Sequence, residues 1–249
     1  MADENPAKPF YSVLVLAFVC SALVAGAAVG LRPQQQANKA TDRKKHILYA
    51  ANLFEKGQSI NTLFAPIETR MVELATGDFV AQEDIEANSY KQLNDDEDIA
   101  KLNRVEQYAE VYLVKTGDKI DQIVLPVRGK GLWSTMYAYV ALDGDLSTIR
   151  GVSFYEHGET PGLGGEIENS RWQAGWSGKK VFADDGAVDL QFVKGGVSSG
   201  QPEASHQIDG LSGATLTTKG VENLMDFWFG DHGFKPFITQ LKNKDKSNG

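Results

Sequence analysis

Asp209-Gly210-Leu211-Ser212-Gly213-Ala214-Thr215-Leu216-Thr217 reads as a polar turn that opens directly into a helix. Gly210 and Gly213 allow a tight backbone and close approach by a ligand. Ser212 and Thr215 are helix-capping types, and Val221, Leu224, Met225 and Trp228 then recur at helical spacing. The pattern predicts unpaired backbone N–H groups and two hydroxyls at a helix N-terminus. Such an end attracts phosphate, because its free donors and the positive pole of the helix dipole act together. The same nine residues also suit a plain capped turn, and spacing alone does not separate the two readings.

Working outward, Ala187 to Val193 reads as a strand leading towards this turn. Met136 to Leu142 and Thr148 to Tyr155 read as a hairpin turning at Asp143-Gly144-Asp145. Glu110 to Val114 and Asp121 to Val127 alternate with period two, the second strand closed by Gly129 and Gly131. Before them the period is helical: Ile47, Leu48, Ala51 and Phe54 form one helix ended by Gly57, and Ser59 caps a second through Phe64. The acidic run Asn94 to Asp98 reads as a solvated loop. Helices first, strands next and a helix near the end predict an α+β domain with a mostly antiparallel sheet flanked by helices. Strand and helix do not alternate as in a doubly wound fold, and no Gly-x-Gly-x-x-Gly follows a strand, so NADH binding is not expected on this chain.

The N-terminal part has a different character. Phe10 to Leu31 contains no charged residue and, at 22 residues, is long enough for a helix across about 30 Å of hydrocarbon. A single transmembrane helix is expected, with a signal peptide as the rival because Ala25, Gly26 and Ala27 imitate a cleavage site. The predicted organisation is a tail over 1–9, the span over 10–31, a polar juxtamembrane connector over 32–43, a helical and acidic section over 44–108, and an α+β section over 109–249. Basic residues Arg32, Arg43, Lys44 and Lys45 outnumber Lys8 across the span, which by charge alone places the C-terminal side in the cytoplasm.

The net charge of −8 and pI near 5.1 exclude an electrostatic nucleic-acid binder, which needs a basic patch. Cys20, the only cysteine, lies in the apolar segment, so neither an intrachain disulfide nor a cysteine-held metal or iron–sulfur site is available. Electrons, if the chain moves them, require an organic carrier.

Asp209, Ser212, Gly213, Ala214 and Thr215 resemble the Asp-x-x-Ser/Thr-Gly-Ala-Thr signature at which a flavin transferase joins FMN through its phosphate to the final threonine. Gly131-Leu132-Trp133-Ser134-Thr135-Met136-Tyr137 and His157-Gly158-Glu159-Thr160-Pro161-Gly162-Leu163-Gly164-Gly165 resemble the same family in the same order. With the apolar N-terminus, nearly the whole chain is similar to the C subunits of Na+-translocating NADH:quinone reductases, which carry an FMN-binding domain.

That resemblance implies covalent FMN on Thr215, with Ser212, Gly213 and Ala214 around its phosphate. Asp209 would steer a metal or the turn geometry during attachment, or serve as an ordinary turn carboxylate. Thr217 would offer a hydroxyl to the phosphate or ribityl chain, or face solvent. Thr160 and Leu163 are implied as flavin neighbours, and Glu159 as a polar contact or a structural acid. Trp133 would stack near the isoalloxazine or belong to the core, and His157 reads as an ordinary exposed or hydrogen-bonded histidine rather than a proton-transfer group. No acid–base catalytic residue and no metal site is expected. The implied partners are the other soluble and membrane subunits, the flavin transferase during maturation, and membrane lipid. The implied location is the bacterial inner membrane with the flavin domain in the periplasm, opposite to the charge count. The alternatives are the corresponding flavoprotein of a ferredoxin:NAD+ reductase complex and a non-redox anchored module.

Overall fold

The computed structural model describes residues 7–86, 89–198 and 200–247. The chain divides into two compact units, Met1–Arg43 and Lys44–Gly249.

Helix α1 runs from Ala7 to Ala50, so it makes up the described part of the first unit and contributes its last turns to the second. Over Pro9–Ala50 it is long and apolar enough to cross a membrane, and its most apolar window buries nothing within the protein. The predicted span lies inside it. The 32–43 connector is itself helical, with Pro33 inside the helix. Gln, Ala and Arg, which make up most of that stretch, are good helix formers even without a core to cover. The helix also stops earlier than the Gly57 expected from periodicity: Asn52 adopts a left-handed conformation (φ 56°) and Leu53 N–H bonds to the Leu48 carbonyl. Asn tolerates that conformation and commonly ends helices so.

The second unit is built on a six-stranded sheet. Its strands are β1 Glu68–Glu73, β2 Phe79–Val80, β5 Tyr108–Thr116, β6 Lys119–Lys130, β7 Thr135–Asp143 and β8 Ile149–Glu156, and β3 Tyr90–Gln92 pairs apart from them with β4 Arg104–Glu106. The order across the sheet is β2-β1-β5-β6-β7-β8, every neighbouring pair antiparallel. The section over 44–108 is therefore not simply helical, since its described residues hold the strands β1 to β4 besides α2 (Ile60–Phe64). Strand β1 escapes a periodicity reading because only Val72 of its six residues is buried; it is a strand because all six pair with β5. Tertiary pairing outweighs a weak local pattern there.

Both faces of the sheet are covered. One face, with Leu113, Ile123, Leu125, Val140 and Phe154, packs against α4 (Thr215–Trp228) and α5 (Lys235–Ser247) through Val221, Leu224, Met225 and Phe237. The other, with Tyr112, Val124, Tyr139 and Ala141, receives Ile47, Leu48 and Ala51. Two-sided burial explains why Ile123-Val124-Leu125 is apolar without a break, since adjacent residues face opposite layers.

The expected strand over 187–193 shrinks to β9, Gln191–Val193, which pairs in parallel with β10, Gln207–Asp209. A short helix α3, Ser170–Ala174, packs on β8. Helix α4 lies hard against the end of β6. A Cβ on Gly129 would stand 2.9 Å from the Leu224 Cβ, one on Gly220 would stand 2.5 Å from the Lys130 carbonyl, and Trp228 Nε1–H donates to the Arg128 carbonyl at 2.6 Å. These contacts fix where α4 lies against the sheet.

Candidate functional site

Helix α4 starts at Thr215, with Ala214 as its N-cap and no side chain capping it. Neither Ser212 nor Thr215 caps the helix, contrary to the sequence expectation. The reason is positional: the first helical acceptor is the Ala214 carbonyl, which takes the Thr218 N–H at 3.0 Å, and alanine brings no capping oxygen. The turn is held instead by Thr218, whose buried Oγ1 donates to the Ala214 carbonyl at 3.1 Å and accepts the Leu211 N–H at 3.0 Å. Gly213 takes the left-handed conformation (φ 74°) that the turn requires. Ser212, Gly213 and Thr215 are exposed, so a helix N-terminus without a side-chain cap is presented together with a threonine hydroxyl.

Asp209 organises the turn from the other end. Its Oδ1 accepts the Val197 N–H at 2.6 Å, its carbonyl accepts Trp172 Nε1–H at 2.7 Å, and the Gly210 N–H reaches the Val193 carbonyl at 2.8 Å. Of its implied roles, turn geometry is the one these bonds express. They draw Lys194-Gly195-Gly196 alongside, both glycines left-handed (φ 92° and 94°). Between this segment and the turn lies a cavity of about 440 Å³, with Phe192 and Lys194 on one side and Ser212, Gly213 and Thr215 on the other. Phe192 and Lys194 line this cavity, and sequence reasoning does not reach them. The Gly-Gly pair after a strand is the signal for them, but locally it reads only as the strand's end.

Two loops border the turn elsewhere. Leu163 lies against Gly213, its Cδ2 3.1 Å from where a Cβ on that glycine would stand, and it is half-exposed, as is Leu132. Thr160 is exposed and its carbonyl accepts the Gly165 N–H at 2.9 Å, closing the Pro161-Gly162 turn. Trp133 is 66% exposed, which removes it from the core.

Glu159 is buried and ties these pieces together. Its Oε1 accepts the N–H groups of Trp133 (2.8 Å) and Ser134 (3.2 Å), and its Oε2 accepts the Leu132 N–H (3.2 Å) and the Thr217 hydroxyl (2.5 Å). Thr217 is 1% exposed, so its hydroxyl faces neither solvent nor the cavity. It sits on the inner side of the helix, away from the face that carries Thr215. Burial raises the cost of the Glu159 charge, but the Thr217 hydroxyl and the three N–H groups together hold its pKa below the ordinary glutamate value. The backbone leaves room for this carboxylate. A Cβ on Gly131 would stand 2.6 Å from Oε1, and one on Gly164 would collide with Thr217 Oγ1. His157 is hydrogen-bonded, its Nδ1 accepting the Glu159 N–H at 3.1 Å and its Nε2 3.0 Å from Glu168 Oε1.

The FMN-binding domain family matches residues 131–229, the span that contains all three of these segments. A protein of Pseudomonas aeruginosa is 44% identical over 96% of this chain and 97% of its own length, and one of Vibrio vulnificus is 46% identical over 98% of each. Both are named as the C subunit of the Na(+)-translocating NADH-quinone reductase. The chain belongs to this family of C subunits. Among the family's solved structures, NqrC of Shewanella oneidensis matches 83% of this chain and 99% of its own at 36% identity, with a TM-score of 0.76. The C subunit of Parabacteroides distasonis matches 84% of this chain and 97% of its own at 27% identity, with a TM-score of 0.62. The strands, α4 and the turn before it thus sit in a fold that the family shares, and the α+β class expected from the sequence holds.

The residues at the turn suit FMN. An N-terminus lacking a side-chain cap matches a phosphate, and the Lys194 ammonium adds a cation on the cavity wall. Phe192, Leu163 and Trp133 offer apolar surface to a ring system. The cavity lies in the range of about 300–1,000 Å³ usual for small-molecule sites.

Proposed function

We propose that this chain is a membrane-anchored electron carrier of a Na+-translocating NADH:quinone reductase, holding FMN covalently through its phosphate on Thr215. The observation that carries the reading is the coincidence, at one point, of an exposed threonine hydroxyl, a helix N-terminus without a side-chain cap and a cavity with a lysine on its wall.

In this reading a transferase delivers the group from a flavin dinucleotide. The Thr215 hydroxyl loses its proton, an Oγ–phosphorus bond forms, the donor's pyrophosphate bond breaks, and the nucleoside monophosphate leaves with the bonding electrons. Threonine needs outside activation for this, which the transferase and its metal supply. The phosphodiester would keep one negative charge, which the first-turn N–H groups of α4 and Lys194 would hold. Ser212 and Gly213, both exposed, would leave the approach open, and Leu163, Trp133 and Thr160 on the neighbouring loops would contact the ring. Bound FMN supplies the electron-carrying chemistry, and the protein fixes its place and tunes its potential.

Helix α1 anchors the protein in the bacterial inner membrane, with Lys44–Gly249 in the periplasm beside the partner subunits. The resemblance to the family supports this orientation against the charge count, and a covalent bond suits a cofactor that could not otherwise be retained there. NADH oxidation and quinone reduction belong to the partners.

The test is the mass of the peptide containing Thr215 from protein made with the transferase. An added FMN moiety is expected in wild type and none in Thr215→Val; an unmodified wild-type peptide overturns the assignment. For topology, Thr239→Cys in a Cys20→Ser background should label with an impermeant reagent from outside intact spheroplasts. Labelling only after lysis places the domain on the other side.

A further inference from the structure

We infer that Glu159 is a positioning residue of the flavin site: an ionised carboxylate, locked behind the attachment turn, that aligns the two bordering loops and lowers the reduction potential of a flavin held on Thr215. The inference rests on the proposed attachment at Thr215.

The geometry argues for a charge rather than a neutral acid. All four contacts to the carboxylate, from Leu132, Trp133, Ser134 and Thr217, are donors. Three of these, the N–H groups of Leu132, Trp133 and Ser134, can only donate, and they bond more strongly to a carboxylate than to a protonated carboxyl, whose hydrogen only the Thr217 hydroxyl could accept. The contacts also reach three separate segments. Leu132, Trp133 and Ser134 form the loop after β6, Glu159 opens the loop that carries Thr160 and Leu163, and Thr217 belongs to the first turn of α4. One side chain therefore sets the spacing between Trp133, Leu163 and the residue two positions before Thr217, which is Thr215. Gly131 and Gly164 flank the carboxylate where any Cβ would displace it, so the pocket is shaped for this group.

Among the described residues no Lys or Arg is ion-paired with Glu159. The neighbouring charged and titratable groups are engaged elsewhere. Lys130 Nζ donates to the Trp133 carbonyl at 3.1 Å, His157 accepts the Glu159 N–H through Nδ1, and Glu168 meets the far side of that ring. A fixed negative charge in a water-poor site is weakly screened, and it opposes the arrival of electrons nearby. Its removal makes reduction easier.

The experiment has two arms on the full chain. In flavin-free Thr215→Val protein with carboxyl-labelled glutamate, the Glu159 carboxyl should titrate below the ordinary value of 4.5, with the Leu132, Trp133 and Ser134 amide resonances moving in step. A carboxyl that titrates at or above that value, or leaves those amides unmoved, overturns the clamp. In flavin-loaded protein, Glu159→Gln should shift the midpoint potential to a more positive value, whereas Thr217→Val, which keeps the charge, should stay near wild type. An unchanged potential in Glu159→Gln, or an equal shift in Thr217→Val, overturns the electrostatic role. If Glu159→Gln does not fold, the titration arm decides. Wild-type protein without flavin at Thr215 sinks the attachment reading and the effect on potential together, while the titration still judges the clamp.

Discussion

The Asp209 carboxylate accepts the Val197 N–H at 2.6 Å across a gap of twelve residues, and so joins the segment carrying Lys194 to the turn carrying Thr215. Asp209→Ala leaves that N–H without its acceptor and frees Gly195-Gly196. A loss of about 1–2 kcal/mol in chemical denaturation is expected, since hydrogen bonds to charged groups contribute about 1.5–3 kcal/mol and this one is partly exposed. Asp209→Asn keeps an acceptor oxygen and should lose less. The fraction of protein carrying flavin by mass should fall in the same order.

Gly220→Ala sets helix propensity against packing. Alanine favours the helix by about 1 kcal/mol, but its Cβ would stand 2.5 Å from the Lys130 carbonyl and 3.2 Å from the Gly131 Cα, where backbone cannot easily give way. Overpacking of this kind costs about 1–3 kcal/mol, so the variant should be net destabilised and its α4 displaced from the Gly131 loop. A melting temperature at or above that of wild type would contradict the close contact.

Thr218→Val should cost about 1–3 kcal/mol, because the shape is kept while the buried Leu211 N–H loses its partner. Equilibrium denaturation measures it. Trp133→Ala, by contrast, should change stability by less than about 0.5 kcal/mol, since the ring is 66% exposed, yet alter the fluorescence of attached flavin.

Asp226 gives a pH signature. Burial, and then the neighbouring Glu222 charge, push its pKa up to about 6 from 3.8. The folded state therefore holds the proton more tightly than the unfolded chain does. Its contribution is complete below about pH 4 and is lost as pH rises through about 6. Asp226→Asn should be more stable than wild type above pH 6, by about 1 kcal/mol once solvent screening is allowed for, and the difference should vanish near pH 4. Denaturation at pH 4 and pH 8 checks the sign.

What is legible in the sequence follows from which forces are local. The β7–β8 hairpin and α4 declare themselves because alternation and helical spacing are written in adjacent residues. Strand β1 does not, because its identity comes from pairing with β5 rather than from its own alternation. Thr217 reads as facing either the ligand or solvent for a similar reason: its true partner, Glu159, is 58 residues away. Thr218 and Lys194 escape notice because the first acts through the backbone of its own turn and the second through a cavity wall. The polar stretch after the span looks uncored, as it is, yet an exposed helix needs only good helix formers.

The loops at 131–134, 159–165 and 209–217 lie far apart in the sequence and meet only in the folded domain. A chain stalled before that point displays Thr215 on an ordinary mobile peptide, with no helix end behind it and no clamp beside it. An enzyme that recognises the finished turn would therefore mark mature molecules and pass over immature ones, and the fraction modified would serve as a count of successful folding.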